Sequence, residues 1–364
     1  MPEVSVLIAV YNGEKFLTEA IESILQQTFT DFELIIINDG STDKTKDIIL
    51  SYNDDRIKYF ENETNIKLIP TLNKGIDLAC GKYIARIDAD DIAMPNRLEV
   101  QYNYMEKHPE IGLCASWLKT IGDGEQKIVE FKSQHDEIRL ELFFHSYMHH
   151  PTVMMRTSLF KENNIKYPNA LHAEDYALWV LLSEYTKFHV IPEVLLKYRV
   201  HDQNICVLNS DFQDKQSSLI RKSQYEKLRL NCNNKPYDLF EIWLITGKIE
   251  NVKQSVDVIK FLCDLFSAIL KTKQIKKELL NLFFYKKVWA IICEFPSINS
   301  YYKIYKLFKH SDGYLKSIPI KDRSIVFINK VHEESDYHKA LELGEKLLTI
   351  KKISGILLGH LKPP

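Results

Sequence analysis

The sequence predicts an α/β protein with a mainly parallel central sheet flanked by helices, followed by a smaller, mainly α-helical region. Three observations carry that reading. Two strand–turn–helix units open the chain, at Val4–Val10 and Leu34–Ile37. These apolar runs are continuous rather than alternating, as in strands buried on both faces of a parallel sheet. From about Pro236 the strand–turn pattern stops and apolar residues recur every three to four positions.

The first run, Val4 to Val10, ends at the turn Tyr11-Asn12-Gly13. The helix after it places Phe16, Leu17, Ala20, Ile21, Ile24 and Leu25 on one stripe. The second run stops at Asn38-Asp39-Gly40, and Ser41 or Asp43 is positioned to cap a helix running through Tyr52. Two such units imply right-handed crossovers. A third run, Tyr83 to Ile87, carries the backbone into three carboxylates, Asp88, Asp90 and Asp91. Clustered like charge must either face water or hold a cation, and hard oxygen ligands suit Mg²⁺ or Mn²⁺, which suit a diphosphate. In open α/β sheets ligands gather beyond the carboxyl ends of the strands. Tyr11, Asp39, Asp88 and Asp90 all fall there, and Asp91 is expected to face solvent or cap the next helix.

Further along, His149 and His150 precede Pro151 and an apolar segment, Thr152 to Met155. Neighbours on an extended chain point to opposite sides, so the two histidines are not expected to share a metal. Glu174-Asp175 opens a helix, Tyr176 to Glu184. Acidic residues favour helix N-termini for capping and dipole reasons, so that position alone has a structural explanation. Trp117 and Trp179 are expected to pack in the core or rim rather than stack on sugars.

Composition bounds the class. A chain of 364 residues, 45% hydrophobic and 27% charged, can bury an ordinary core and is long enough for two domains. No run reaches the roughly 18 apolar residues of a membrane span, and the first strand begins too near Met1 to follow a signal peptide. Six cysteines (80, 114, 206, 232, 263 and 293) form no Cys-x-x-Cys pair or zinc spacing, as in a reduced, cytoplasmic protein. Net charge is −1, but residues 1–230 carry 26 basic and 35 acidic residues against 22 and 14 in residues 231–364. An acidic first part is not the footprint of a nucleic-acid binder.

The blocks Val10–Gly13, Asn38–Asp43, Arg86–Ile92 with Pro95–Leu98, His150–Arg156, Ala173–Trp179 and Tyr198–His201 together resemble the inverting GT-A glycosyltransferases of family 2, over roughly residues 4–205. The resemblance implies a GT-A catalytic domain over residues 1–235 and a helical C-terminal region over 236–364. It implies a nucleotide-sugar enzyme of bacterial polysaccharide, capsule, lipopolysaccharide or lipid-linked glycan synthesis, moving a hexose or N-acetylhexosamine from a UDP-sugar to a saccharide hydroxyl with Mn²⁺ or Mg²⁺. Carried over residue by residue, Asp88, Asp90 and His201 are the metal ligands, with Asp88 also near the ribose. Asp39 accepts from uracil, Tyr11 lies against the base, and Arg86 and Arg199 reach the diphosphate. Asp175 is the catalytic base, while Glu174 and His150 shape the acceptor side.

Three other readings compete. A nucleotidyltransferase would share the layout and acidic metal site, but it wants a glycine-rich, basic loop after the first strand; Tyr11–Lys15 holds one glycine. A dinucleotide oxidoreductase would want Gly-x-Gly-x-x-Gly. A non-catalytic scaffold with the same fold has no physical need of Asp39, Asp88, Asp90, Asp175 and His201 together. In the basic C-terminal part, helices are expected at Val252–Leu270, Lys273–Phe295 and Asp336–Ile350, and Tyr301–Lys309 mixes aromatics with lysines. Such helices either rest on the anionic cytoplasmic face of a membrane or cover the catalytic domain or a partner subunit, a homo-oligomer included.

Overall fold

In a computed structural model, residues 1–202 and 210–293 are described. The Asp336–Ile350 and Tyr301–Lys309 expectations lie outside them, as does Cys206. The chain divides into two units, the first from Met1 to Gln224 and the second beginning at Tyr225.

In the first unit β1 (Val4–Val10) leads to α1 (Leu17–Leu25), β2 (Phe32–Asn38) to α2 (Thr45–Leu50), and β3 (Ile57–Glu61) to α3 (Leu68–Leu78). Then come β4 (Tyr83–Arg86), β5 (Ile92–Ala93), α4 (Arg97–Lys107), β6 (Ile111–Gly122), β7 (Ile128–Val129) and α5 (His135–Leu142). A 3₁₀ turn at His150–Thr152, β8 (Met154–Arg156), α6 (Thr157–Asn163), α7 (Glu174–Leu182) and β9 (Lys187–Val200) follow. The strands form one sheet in the order β3-β2-β1-β4-β8-β6-β9-β5, with β7 paired to β6. From β3 to β4 all pairs are parallel, the product of the repeated strand–helix crossovers. Beyond β4 the sheet is mixed: β8 runs antiparallel to β4 and β6, and β9 parallel to β6.

The continuous apolar strands are buried on both faces. Val4, Val6, Ile8 and Val10 pack with Leu17, Ile21 and Ile24 of α1. Leu7, Ile35 and Ile37 pack on the other face with Leu72 and Ile76 of α3. The expected cap of α2 works differently in detail: the helix begins at Thr45, whose N–H donates to Asp43 Oδ1 at 3.0 Å. Trp179 is fully buried, as core packing requires. Cys114 and Cys232 are buried, Cys263 is half-buried and Cys80 is exposed; these four are free thiols.

Helix α8 (Ser210–Lys227) ends in the residues that begin the second unit. There α9 (Lys235–Thr246) is capped by Asn234, which accepts the Tyr237 N–H, and α10 (Val252–Thr272) by Asn251, which accepts the Gln254 N–H. Tyr237, Phe240 and Phe261 pack ring against ring with Tyr225, and Phe266 packs on Phe284 of α11 (Lys277–Cys293). Among the described residues no helix is long and apolar enough to cross a membrane.

Candidate active site

Parallel register sets Val10 beside Asn38 and aligns β4 with β1, so the loops after β1, β2 and β4 share one sheet edge. The first two loops interlock. The Asn12 N–H donates to Ser41 Oγ (2.9 Å), the Thr42 N–H to Asn12 Oδ1 (2.8 Å), and the Gly13 N–H to Thr45 Oγ1 (2.8 Å). Glu14 and Asp43 add reciprocal bonds: the Glu14 N–H to Asp43 Oδ2, and the Lys44 N–H to Glu14 Oε2, each 3.0 Å. Tyr11 stands at this edge 48% exposed, so it is not core filling.

Asp39 is buried just beyond β2. Its Oδ1 accepts from Asn62 Nδ2 (2.8 Å) and the Ile66 N–H (3.0 Å), and its Oδ2 accepts from the Lys67 N–H (2.9 Å). The carboxylate therefore closes the 62–67 loop over the end of β2 and holds Lys67, at φ 78°, at the start of α3. Gly40 makes this approach possible. Its φ is +68°, and a Cβ there would lie 2.6 Å from the Thr64 carbonyl carbon. Gly40→Ala is expected to cost more than about 1 kcal/mol of stability and to weaken nucleotide binding. Thermal unfolding and a UDP titration check it; a variant unchanged in both would show that the loop tolerates displacement.

The acidic cluster follows β4. Arg86 is buried and forms a bidentate ion pair with Asp88, its Nη1 lying 2.5 Å from Oδ2. Asp90 Oδ2 meets His201 Nε2 at 2.9 Å across 111 residues of sequence. Short β5 pairs with β9 at Ile92↔Lys197 and so brings the end of β9 to this loop. Asp91 departs from expectation: it is fully buried rather than solvent-facing. The reason is that same return of β9, because the Arg199 N–H donates to Asp91 Oδ1 at 2.8 Å. Asp91 Oδ2 has no hydrogen-bond partner among the described residues. Burial first, then the charges of Asp88 and Asp90, push the Asp91 carboxyl well above the usual range. One oxygen from each of the three carboxylates lies within 4.8 Å of the others. Hard oxygens at that spacing, on a loop that also leaves the buried Asp91 Oδ2 unsatisfied, fit a divalent cation.

The Arg199 guanidinium is held on this loop as well. It donates through Nε to the Asp90 carbonyl (2.8 Å), pairs with Glu19 (2.9 Å) and lies 4.5 Å over the Phe16 ring, which His201 also contacts. Arg97, which the sequence marks only as part of the Pro95–Leu98 block, is a buried clamp, donating to the carbonyls of Arg86 (2.7 Å) and Val153 (3.3 Å). Burial pulls its pKa down to about 10, with the Asp91 charge opposing.

The other wall begins at α7. Asp175 Oδ1 accepts the Tyr176 N–H (2.6 Å), and Oδ2 accepts from Ser146 Oγ (3.2 Å). Glu174 is buried, and its Oε2 has no hydrogen-bond partner among the described residues. Burial and then the Asp175 charge push Glu174 up to about 7. Asp175 is raised too, chiefly by burial, with hydrogen bonds from Tyr176 and Ser146 opposing. The charges of Arg86 and Asp88 add smaller, opposed contributions at both acids.

His149 and His150 do face different neighbours, though not on an extended strand. Pro151 sits in a 3₁₀ turn that turns the His149 ring toward Phe131 and Tyr198 and the His150 ring toward Tyr167 and Trp179. His150 is buried, and burial first, then Arg86, hold it neutral, well below the usual imidazole range. Ser146, Tyr167 and Asn62 carry no sequence signal of their own; only the fold brings them to the site.

Comparison with known proteins bears on the family and the fold. The family profile described as "Glycosyl transferase family 2" matches residues 5–163. An uncharacterized glycosyltransferase of Methanocaldococcus jannaschii is 37% identical over 243 residues, 64% of this chain and 83% of that one. The O-antigen biosynthesis glycosyltransferase WbnJ of Escherichia coli is 33% identical over 208 residues, 55% of this chain and 81% of that one. Among solved structures, S. aureus TarS residues 1–349 in complex with UDP-GlcNAc superposes with a TM-score of 0.53 at 20% identity, covering 79% of this chain and 88% of that one. With strand-end acids on one sheet edge, a GT-A-like sheet and relatives matched over most of their length, this chain belongs to glycosyltransferase family 2 and is a nucleotide-sugar-dependent glycosyltransferase.

Proposed function

We propose that this glycosyltransferase is metal-dependent and inverting, and that it moves a hexose or N-acetylhexosamine from a UDP-sugar to a saccharide hydroxyl in bacterial surface-polysaccharide or lipid-linked glycan synthesis. What supports the reading is the loop after β4, where one oxygen each of Asp88, Asp90 and Asp91 lies within 4.8 Å of the others, together with the largely buried Glu174-Asp175 pair that opens α7. Asp88, Asp90, Asp91 and His201 would hold the divalent cation, which when bound offsets the charge gathering on the departing diphosphate. Asp175, hydrogen-bonded by Ser146 and by its own helix, takes the proton of the attacking hydroxyl. The hydroxyl oxygen forms its bond to the anomeric carbon as the bond to the diphosphate oxygen breaks on the opposite face. Configuration therefore inverts.

On the donor side Tyr11 lies against the base. Asp39, with three acceptor positions filled, retains room on Oδ2 for a uracil N–H. Arg86 orients Asp88, while Arg199 locks the loop and lies beside the diphosphate. Glu174 and His150 shape the acceptor side. The UDP-GlcNAc complex of TarS, which shares the fold, supports a uridine donor, and the name of WbnJ supports a polysaccharide setting.

The test is a donor screen by nucleotide release with UDP-, GDP- and dTDP-sugars, in Mn²⁺ and in EDTA. The expected result is UDP release that stops in EDTA. A GDP preference would overturn the uracil assignment, and full activity in EDTA the metal. In the second unit Lys271, Lys273, Lys276 and Lys277 are exposed around the α10–α11 turn, and this supports peripheral binding to an anionic bilayer. Sedimentation with anionic liposomes at low salt, lost at high salt, is the expected outcome; none at low salt would end that idea.

A further inference from the structure

We propose that Tyr167 is a positioning residue for sugar transfer: acting through His150 and Trp179, it holds the first turn of α7, and hence Asp175, in register with the donor half of the site. The proposal rests on the assignment of Asp175 as base. It starts from a continuous line of contacts. The Tyr167 hydroxyl lies 2.7 Å from His150 Nε2, and the two rings are 5.4 Å apart. His150 in turn meets the Trp179 ring edge-on at 5.7 Å. Trp179 lies one helical turn beyond Asp175 on α7, where residues four apart share a face. Its indole N–H is fixed on the Met148 carbonyl at 3.3 Å.

On its other side Tyr167 is tied to the nucleotide half. Its N–H donates to Asn73 Oδ1 (2.8 Å), and Asn73 Nδ2 returns a bond to the Tyr167 carbonyl (3.5 Å). Asn73 belongs to α3, the helix whose start is held by Asp39. The line therefore runs from Asp39 through α3, Tyr167 and His150 to α7 and Asp175.

A phenylalanine would fill the same space without burying a hydroxyl. Tyr167 is only 4% exposed, and a buried hydroxyl is costly unless bonded. Neutral His150 supplies the partner, since an uncharged imidazole offers one donor and one acceptor nitrogen. Burial keeps the phenol protonated, so its hydroxyl stays available to His150. Positioning of this kind acts on the chemical step, because a small displacement of a base costs rate without touching distant nucleotide contacts.

Tyr167→Phe separates this role from general packing. The expected result is a kcat lowered about 10–100-fold, with donor KM and the Kd for UDP within about twofold of wild type. His150→Asn should lower kcat at least as much, and the Tyr167→Phe/His150→Asn double variant should cost no more than His150→Asn alone, because the bond that Tyr167→Phe removes is already lost. A wild-type kcat in folded Tyr167→Phe, beside an inactive Asp175→Asn, would overturn the Tyr167 proposal alone. So would a loss of UDP affinity equal to the loss of kcat, and so would strictly additive single changes. Wild-type activity in Asp175→Asn would instead remove the base assignment, and the Tyr167 proposal with it.

Discussion

An Asp175→Asn enzyme is expected to transfer sugar about 10²–10⁴-fold more slowly than wild type while binding UDP and its cation normally. The amide keeps the shape of the side chain: its oxygen can still accept the Tyr176 N–H, and its NH2 can donate to the Ser146 hydroxyl oxygen, which reverses that bond. What it loses is the capacity to take a proton. Single-turnover transfer and a calorimetric UDP titration on the same protein separate the two effects; turnover within about tenfold of wild type would rule out Asp175 as the base.

The pH profile adds a sign. Burial raises Asp175, and Glu174 beside it is pushed up to about 7. The two carboxyls titrate as a pair, and an anionic base is present above the relevant pKa and lost below it. The acid limb of kcat should therefore lie above the ordinary aspartate range, with activity falling as pH drops through it. Protonation of Glu174 relieves repulsion on Asp175, so the anion remains on the residue that faces the reacting hydroxyl.

The second large effect concerns the acidic cluster. Asp90→Asn is expected to lower transfer by about 10²-fold or more, since a Lewis-acid ion contributes several kcal/mol to departure of a diphosphate. The tightening of UDP by Mn²⁺ should disappear with it, and a Mn²⁺-dependent Kd unchanged in the variant would contradict the ligand assignment. The cluster also carries a cost. Asp91 is raised in the folded state, so the folded protein binds more protons than the unfolded chain above the ordinary aspartate value of 3.8. Without the cation, stability should then fall as pH rises toward neutrality. Asp91→Asn should flatten that dependence and raise the cation-free Tm, while losing the stabilisation Mn²⁺ gives the wild type.

Much of this site was legible because strand ends carry their own signals. Val4–Val10 and Leu34–Ile37 are too continuously apolar to be exposed, and each stops at a turn, so Tyr11 and Asp39 fall at one edge without any tertiary knowledge. Asp88 and Asp90 follow by the same logic. The burial of Asp91 could not be read this way, because it depends on β9 returning more than a hundred residues later to donate the Arg199 N–H. Nor could Tyr167: an isolated tyrosine in a loop has no periodicity to mark it, and its meaning comes from His150 and Asn73, which the fold supplies. Arg97 is intermediate. Its motif was visible, but the carbonyls it clamps belong to β4 and the segment before β8. Pro151 altered the local geometry at His150, since a proline favours the start of a helical turn over a continued strand.

The most direct measurement of the opposed-wall chemistry is the configuration of the product. With a donor whose sugar is α-linked to the diphosphate, the anomeric coupling in the proton NMR spectrum of freshly formed product should report a β linkage. An α-linked product would place the attacking hydroxyl on the leaving-group face, where Asp175 cannot serve it, and would contradict the proposed mechanism.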